Sequence, residues 1–276
     1  MLTTPVLLGA HELAAVADLE RRVVAHDGGR LKLEWGVLRS PSGTGLLHWH
    51  GEVLVGFLGV YAFGPPDVEL AGMVDPATRR RGIGSGLLAA AVPHCRERGF
   101  ARALLVTPAA TPAGRSFAVR QGARRDHNEH ALALADTPAG PVEDPAVALR
   151  PATVAELPEV RRLLTAGFGR DPGELSGRLE AADTTMLVTR HGHAVGTLRL
   201  SRHDGLGGIY GFVIDPGLQG RGIGRDVLAR ACRLLRAEGS AGVTLEVATD
   251  NDRALALYTS TGFVPETTED YWAIDL

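Results

Sequence analysis

Two stretches of this chain run in step at a constant offset of 140 residues. Asp75-Pro76 maps onto Asp215-Pro216, and Arg81-Gly82-Ile83-Gly84 maps onto Arg221-Gly222-Ile223-Gly224. Gly99 and Gly239 keep the register, as do Gly122 and Gly262, so nothing is inserted between them. A period of this length is too large for a solenoid unit and matches a whole domain. The 276 residues therefore divide into two copies, each large enough to bury its own core. Pro138, Pro141 and Pro145, together with Gly140, break all periodicity between Ala135 and Pro145. The expected organisation is an N-terminal domain over residues 1–138, a linker over 139–145 and a C-terminal domain over 146–276.

Composition narrows the partners. Apolar residues make up 45% and charged ones 22%, the balance of an ordinary globular protein. A net charge of -3 and an aromatic content of 5% argue against nucleic acid as a partner, through both backbone and stacking. No apolar run approaches the roughly 20 residues of a membrane span. Met1 to Ala10 lacks the basic start and long apolar core of a signal peptide, which predicts a cytoplasmic protein without a membrane partner. Cys95 and Cys232 fall in predicted helices and do not coincide under the repeat, since Cys95 maps onto Leu235. Two buried free thiols are expected. His48-Trp49-His50 alternates as a strand does, with no third ligand near, so no metal site is expected.

The element pattern repeats with the motif. The first copy reads as a helix over 10–26, a hairpin over 46–62 and a strand over 68–74. A helix over 83–98, a strand over 103–107, a short helix over 112–121 and a closing strand over 129–135 follow. The second copy reads as a strand over 147–150, helices near 154–167 and 173–182, and strands over 184–190, 194–201 and 208–214. A helix over 223–238, a strand over 243–248, a helix over 252–261 and a last strand near 270–275 complete it. This alternation predicts an α/β architecture with a mixed sheet in each copy.

The chemistry sits in the glycine loops. In the second copy Phe212-Val213-Ile214 ends a strand, and Gln219-Gly220-Arg221-Gly222-Ile223-Gly224-Arg225 opens a helix. The first turn of a helix has unpaired N–H groups and the positive end of the dipole, so it holds phosphate oxygens. The first copy carries Met73-Val74 and Arg79-Arg80-Arg81-Gly82-Ile83-Gly84 in the same places. Neither the dinucleotide fingerprint nor the Walker loop matches, because the third spaced glycine and the Lys-Ser/Thr pair are missing. After the next strand come Asn251, Ala254, Leu257-Tyr258 and Gly262-Phe263.

The loop together with that segment resembles the GNAT acyl-CoA N-acyltransferase superfamily, over nearly the whole chain and most strongly in residues 208–263. The tandem arrangement is similar to the mycothiol synthase group within it. The resemblance implies two tandem GNAT-like domains, each a mixed, mostly antiparallel sheet flanked by helices. It implies acetyl-CoA as cofactor, with loop amides gripping the pyrophosphate and Phe212 to Ile214 splaying from the neighbouring strand. Tyr258 matches the usual general acid of the family, and the bland alternative is an aromatic packed in the core. Asn251 reads either as a helix N-cap or as a further cofactor contact.

The copies differ where chemistry is expected. Tyr258 maps onto Ala118, Asn251 onto Thr111 and Phe263 onto Ala123, so the first copy keeps the phosphate loop without the acid. The general base stays open between Asp204, His203, Glu246 and water. Glu69 holds a plausible base position in the first copy, without an acid to partner it. The leading expectation is an N-acetyltransferase acting on a primary amine of a small metabolite. The alternatives are a protein or antibiotic acetyltransferase, or a non-catalytic acyl-CoA sensor.

Overall fold

The structure, a computed structural model, describes residues 6–40, 43–63, 66–136, 138, 144–173, 175, 183–203 and 205–276. It divides into two compact units: Met1–Asn128 with Thr267–Leu276, and Glu129–Glu266. The expected boundary at 139–145 lies mostly outside the described residues, as does the expected helix at 173–182. The compact units part elsewhere, within strands.

In the first unit, β1 (Val6–Leu7) and α1 (Ala10–Asp27) precede α2 (Trp35–Leu38) and the hairpin β2 (Thr44–His50) and β3 (Val53–Tyr61). Next come β4 (Asp67–Val74), α3 (Ile83–Glu97), β5 (Arg102–Pro108) and α4 (Pro112–Arg120). The strand that closes this sheet comes from the end of the chain. It is the second half of β12 (Phe263–Asp275), which pairs antiparallel with β5 from Glu269 opposite Pro108 to Asp275 opposite Arg102. The order is β1-β2-β3-β4-β5-β12, and only β4 and β5 are parallel.

The second unit begins inside β6 (Arg124–Leu134). It continues through β7 (Val147–Pro151), α5 (Leu157–Phe168), β8 (Thr184–Arg190), β9 (His193–His203) and β10 (Leu206–Ile214). Then come α6 (Ile223–Ala237), β11 (Gly242–Ala248) and α7 (Asp252–Ser260). Here β6 closes the sheet by pairing with β11, in the order β6-β11-β10-β9-β8-β7. The copies have thus exchanged their last strands. Both closing strands begin earlier than their apolar stretches suggest, because Arg124–Asn128 and Glu266–Glu269 are polar residues in extended backbone.

Each sheet has helices on both faces. In the second unit Leu132, Val243, Leu245 and Val247 pack with Val227, Leu228 and Leu235 of α6 and with Tyr258 of α7. The opposite face sets Leu187 and Val213 against Val160, Leu163 and Leu164 of α5. The first unit repeats this with α1 on one face and α3 on the other. Burying a leucine or valine contributes about 1.5–3 kcal/mol, so these layers dominate the stability of each unit. Cys95 and Cys232 are free and buried, as expected, and burial pushes the Cys232 thiol up to about 12.

Candidate active site

The two glycine loops have one backbone conformation. Asp75 and Asp215 each accept a hydrogen bond from the N–H two residues on, from Ala77 and Gly217. Each is also reached by an arginine of the preceding long helix, Arg22 at 2.8 Å and Arg162 at 3.1 Å. The Gly217 amide and then Arg162 hold the Asp215 carboxyl below its usual range. Gly82 and Gly222 start their helices with φ of 81° and 82° and no side-chain cap. Position 220 is glycine at φ 79°, and its counterpart Arg80 adopts φ 64°, a left-handed conformation that L-residues resist.

The uncapped first turn of α6 is electropositive and carries Arg221 and Arg225, while the one acid in that turn, Asp226, is engaged by Arg230 and the Asp144 N–H. Arg225 is held by Ser260 at 3.1 Å. A Cβ placed on Gly224 meets Leu257, Ile214 and Phe212 at 3.4–3.8 Å, ordinary contact distances, so α7 and the end of β10 pack closely on this turn. In the first unit Phe117 crowds the matching position at 3.1 Å from a Cβ on Gly84. A cavity of about 290 Å³ opens beside the first loop, lined by His48, His50, Arg81 and Gly82 among others.

Two predicted cofactor contacts are spent inside the protein. Gln219 donates its amide to the Ile214 carbonyl at 2.9 Å. Arg79 does the same to Val74 at 3.1 Å and grips Asp27 with two bonds of 2.8 and 2.6 Å. These side chains fasten the loop to its strand, which leaves the loop backbone and the neighbouring guanidiniums for an anion. Ile83 and Ile223 begin their helices, and Met73 is buried beneath α1. Asn251 caps α7 by accepting from the Ala254 N–H at 3.1 Å, so its bland reading is realised.

The strands beside the loop part. β10 and β11 are paired from Leu206 opposite Gly242 to Ile209 opposite Leu245, and no further, although both strands continue. Immediately beyond, Gly211 and Phe212 stand opposite the single residue Leu198, a β-bulge with Gly211 at φ 57°. This bulge was not legible in the sequence. The first unit also parts after Ala71 opposite Val106, but its β4 runs against β3 without a bulge from Val74 to Glu69.

Tyr258 is 8% exposed and meets Phe263 edge to face at 6.2 Å. Burial pushes its phenol up to about 12, so it stays protonated at neutral pH. Ala118 in its place in the first unit is fully buried. Glu246 alternates with Leu245 and Val247, which face α6, and so occupies the α5 face of β11, one residue past the last pair with β10. His203 faces Leu206 at the far end of β10 and pairs with Asp183 at 3.3 Å. That sets it roughly 10–13 Å along the strand from the parting, too far for a base there. Asp204 lies outside the described residues.

The α5-type face of the first unit is closed. Lys32, the chain's single lysine, is 6% exposed, donates to the Tyr271 hydroxyl and lies 3.7 Å from Glu69. Tyr271 carries His127 stacked on its ring at 4.1 Å. Glu69 is therefore engaged by an internal amine.

Comparison with known proteins agrees with this geometry. The Acetyltransferase (GNAT) family model matches residues 12–123 and 157–263. A mycothiol acetyltransferase of Nocardia farcinica is 28% identical over 91% of this chain and 90% of the relative. Another, of Kineococcus radiotolerans, is 30% identical over 94% and 92%. Among solved structures, a GCN5-related N-acetyltransferase from Sphaerobacter thermophilus has a TM-score of 0.78 at 17% identity, covering 99% of this chain and 95% of that one. A tandem GNAT protein of the clavulanic acid biosynthesis pathway has a TM-score of 0.72 at 19% identity, covering 100% and 98%. No helix among the described residues is long and apolar enough to cross a membrane.

Proposed function

Because the chain belongs to the GNAT acetyltransferase family, an acyl-CoA-dependent group, we propose that its second unit acetylates a primary amine of a small metabolite. The observation that carries this is the bulged parting of β10 from β11 beside an uncapped helix start, with Tyr258 on one face and Glu246 on the other. The mycothiol acetyltransferases among its relatives support a small acceptor over a protein one.

Acetyl-CoA supplies an acetyl group activated as a thioester. The N–H groups of the first turn of α6, with Arg221 and Arg225, would hold its pyrophosphate. Phe212, Val213 and Ile214 line the cofactor's arm with backbone, and the Nδ2 of Asn251 is free of the capping bond its oxygen makes. An N–H turned out by the bulge meets the negative charge that develops on the carbonyl oxygen. Glu246 takes a proton from the acceptor ammonium, and the freed amine forms the amide bond as the carbon–sulfur bond breaks. Tyr258 gives its phenolic proton to the departing sulfur, and the second proton that the nitrogen sheds on becoming an amide restores the phenol through solvent.

The first unit keeps an anion-binding loop with Arg80, Arg81, Gly82 and Gly84 but has Ala118 in place of the acid, no bulge in β4 and a filled acceptor face. We assign it no turnover. Coenzyme A release measured over a panel of amines, for wild type and Tyr258→Phe, tests the assignment. Loss of a general acid costs about 100- to 10,000-fold in kcat, and the lower end is expected because a thiolate leaves readily. Cofactor affinity should hold, since it rests on backbone groups. A kcat for Tyr258→Phe within about twofold of wild type makes Tyr258 a packing residue only.

A further inference from the structure

A row of side chains crosses the α5 face of the second unit at the level where β10 and β11 part. Tyr210 follows Ile209, the last β10 residue paired with β11, and its register partner on β9 is Arg199. Thr185 on β8 is paired in turn with Arg199. Ile209, Leu198, Leu200 and Met186 pack on the α6 side, so Tyr210, Arg199 and Thr185 share the other face. Glu246 stands at the same level on β11, directly after Leu245. The Arg199 guanidinium lies over the Tyr210 ring at 5.2 Å. That ring in turn covers Gly208, where a Cβ would meet it at 2.5 Å.

The Arg199 side chain is 23% exposed, and Asp183 lies 3.3 Å from its Nε. The other oxygen of Asp183 faces His203, also at 3.3 Å. Among the described residues that Nε is nevertheless buried without a hydrogen-bond partner. Covered N–H groups are nearly always paired, and one left without an acceptor is costly. Asp183 thus holds the guanidinium by charge and leaves its N–H groups to another acceptor. The first unit lacks this row. At the same level stand Val106, Ala71, Gly59 and Gly45, in successive register, and the rings of Tyr61 and Phe57 fill the space over the two glycines. None of these four carries a charge or a hydrogen-bonding side chain. The arginine therefore belongs to the unit assigned to acetyl transfer and is no requirement of the fold.

We infer that the acceptor amine carries a carboxylate and that Arg199 binds it, with the amine turned toward the parting of the strands. This rests on the assignment of acetyl transfer to that unit. A guanidinium offers a carboxylate two parallel N–H groups, and the Tyr210 ring beneath fixes the plane of that fork. Neighbouring strands lie about 4.8 Å apart, so the backbones of Arg199 and Glu246, one strand between them, are roughly 10 Å apart. Two long side chains reaching inward from that distance suit an amine and a carboxylate joined by a short aliphatic chain. Arg199 selects the acceptor and takes no part in proton transfer.

The test measures binding to the full chain loaded with coenzyme A, using ω-amino acids from β-alanine to ε-aminocaproate and the n-alkylamines of the same lengths. Wild type should bind at least one ω-amino acid in clear preference to its alkylamine, and Arg199→Gln should cut that preference about tenfold. Arg199→Lys keeps the charge without the fork and should retain part of the preference, which separates recognition from folding should the glutamine variant prove unstable. Acetylation of both series from acetyl-CoA is measured alongside, and the loss in Arg199→Gln should fall on KM more than on kcat. No preference in wild type, or the same preference in Arg199→Gln, overturns the inference. If wild type acetylates both series alike, only this inference falls. If wild type neither binds nor acetylates either series, the assignment of the unit falls with it.

Discussion

Arg80 and Gly220 occupy the same left-handed backbone position, and only one of them suits it. A non-glycine residue there costs roughly 1–2 kcal/mol, a strain the first loop has kept. Arg80→Gly should therefore stabilise the fold by about 1 kcal/mol in denaturant unfolding. An unchanged or lower midpoint would mean the guanidinium contributes more than the backbone loses. Tyr258 makes a second residue-level claim. Its phenol, raised by burial from 10 to about 12, favours the folded state fully below pH 10, and that contribution is lost as pH rises through about 12. As a general acid it therefore gives kcat no alkaline limb below about pH 10. A limb between about pH 8 and 10 that vanishes in Tyr258→Phe would contradict the shift.

The element that separates the two units is β10. Its bulge at Gly211 turns backbone groups out of the ladder at the point where the strands part, whereas Ala71 fills the matching place in an unbulged β4. Gly211→Val should flatten or strain the bulge and lower kcat by about 100-fold, the usual cost of losing one oxyanion donor. Acetyl-CoA affinity, set by the α6 start, should survive. Unchanged kcat would remove the bulge from the mechanism. Helices and core strands were legible because apolar residues recur at their own periods, as in α6 and β11. The bulge was not, because Gly211 reads as one more small residue in a glycine-rich strand. Strand exchange was hidden too, since a closing strand has the same pattern whichever β5-like partner it joins. The loop's glycines were legible as a helix start, but the inward turn of Arg79 and Gln219 depends on carbonyls that no motif displays.

At the scale of the molecule, one fold has been used twice, and on the proposed reading only the second copy carries chemistry. Each compact unit owns a strand from the other repeat, so cutting the chain in 139–145 would strip both sheets of their closing strands. Catalysis is better located by disabling one loop at a time in the intact chain. The measurement is acetyl transfer to a panel amine by Gly224→Val and Gly84→Val, with melting temperatures as a check on folding. Gly224→Val crowds Leu257 and Ile214 at the helix start and should cut turnover about 100-fold or more, as loss of cofactor positioning does. Gly84→Val should leave turnover within about threefold, because the first unit has Ala118 in place of the acid and no bulge in β4. Comparable loss in both variants, or loss in Gly84→Val alone, would contradict the assignment of catalysis to the second unit.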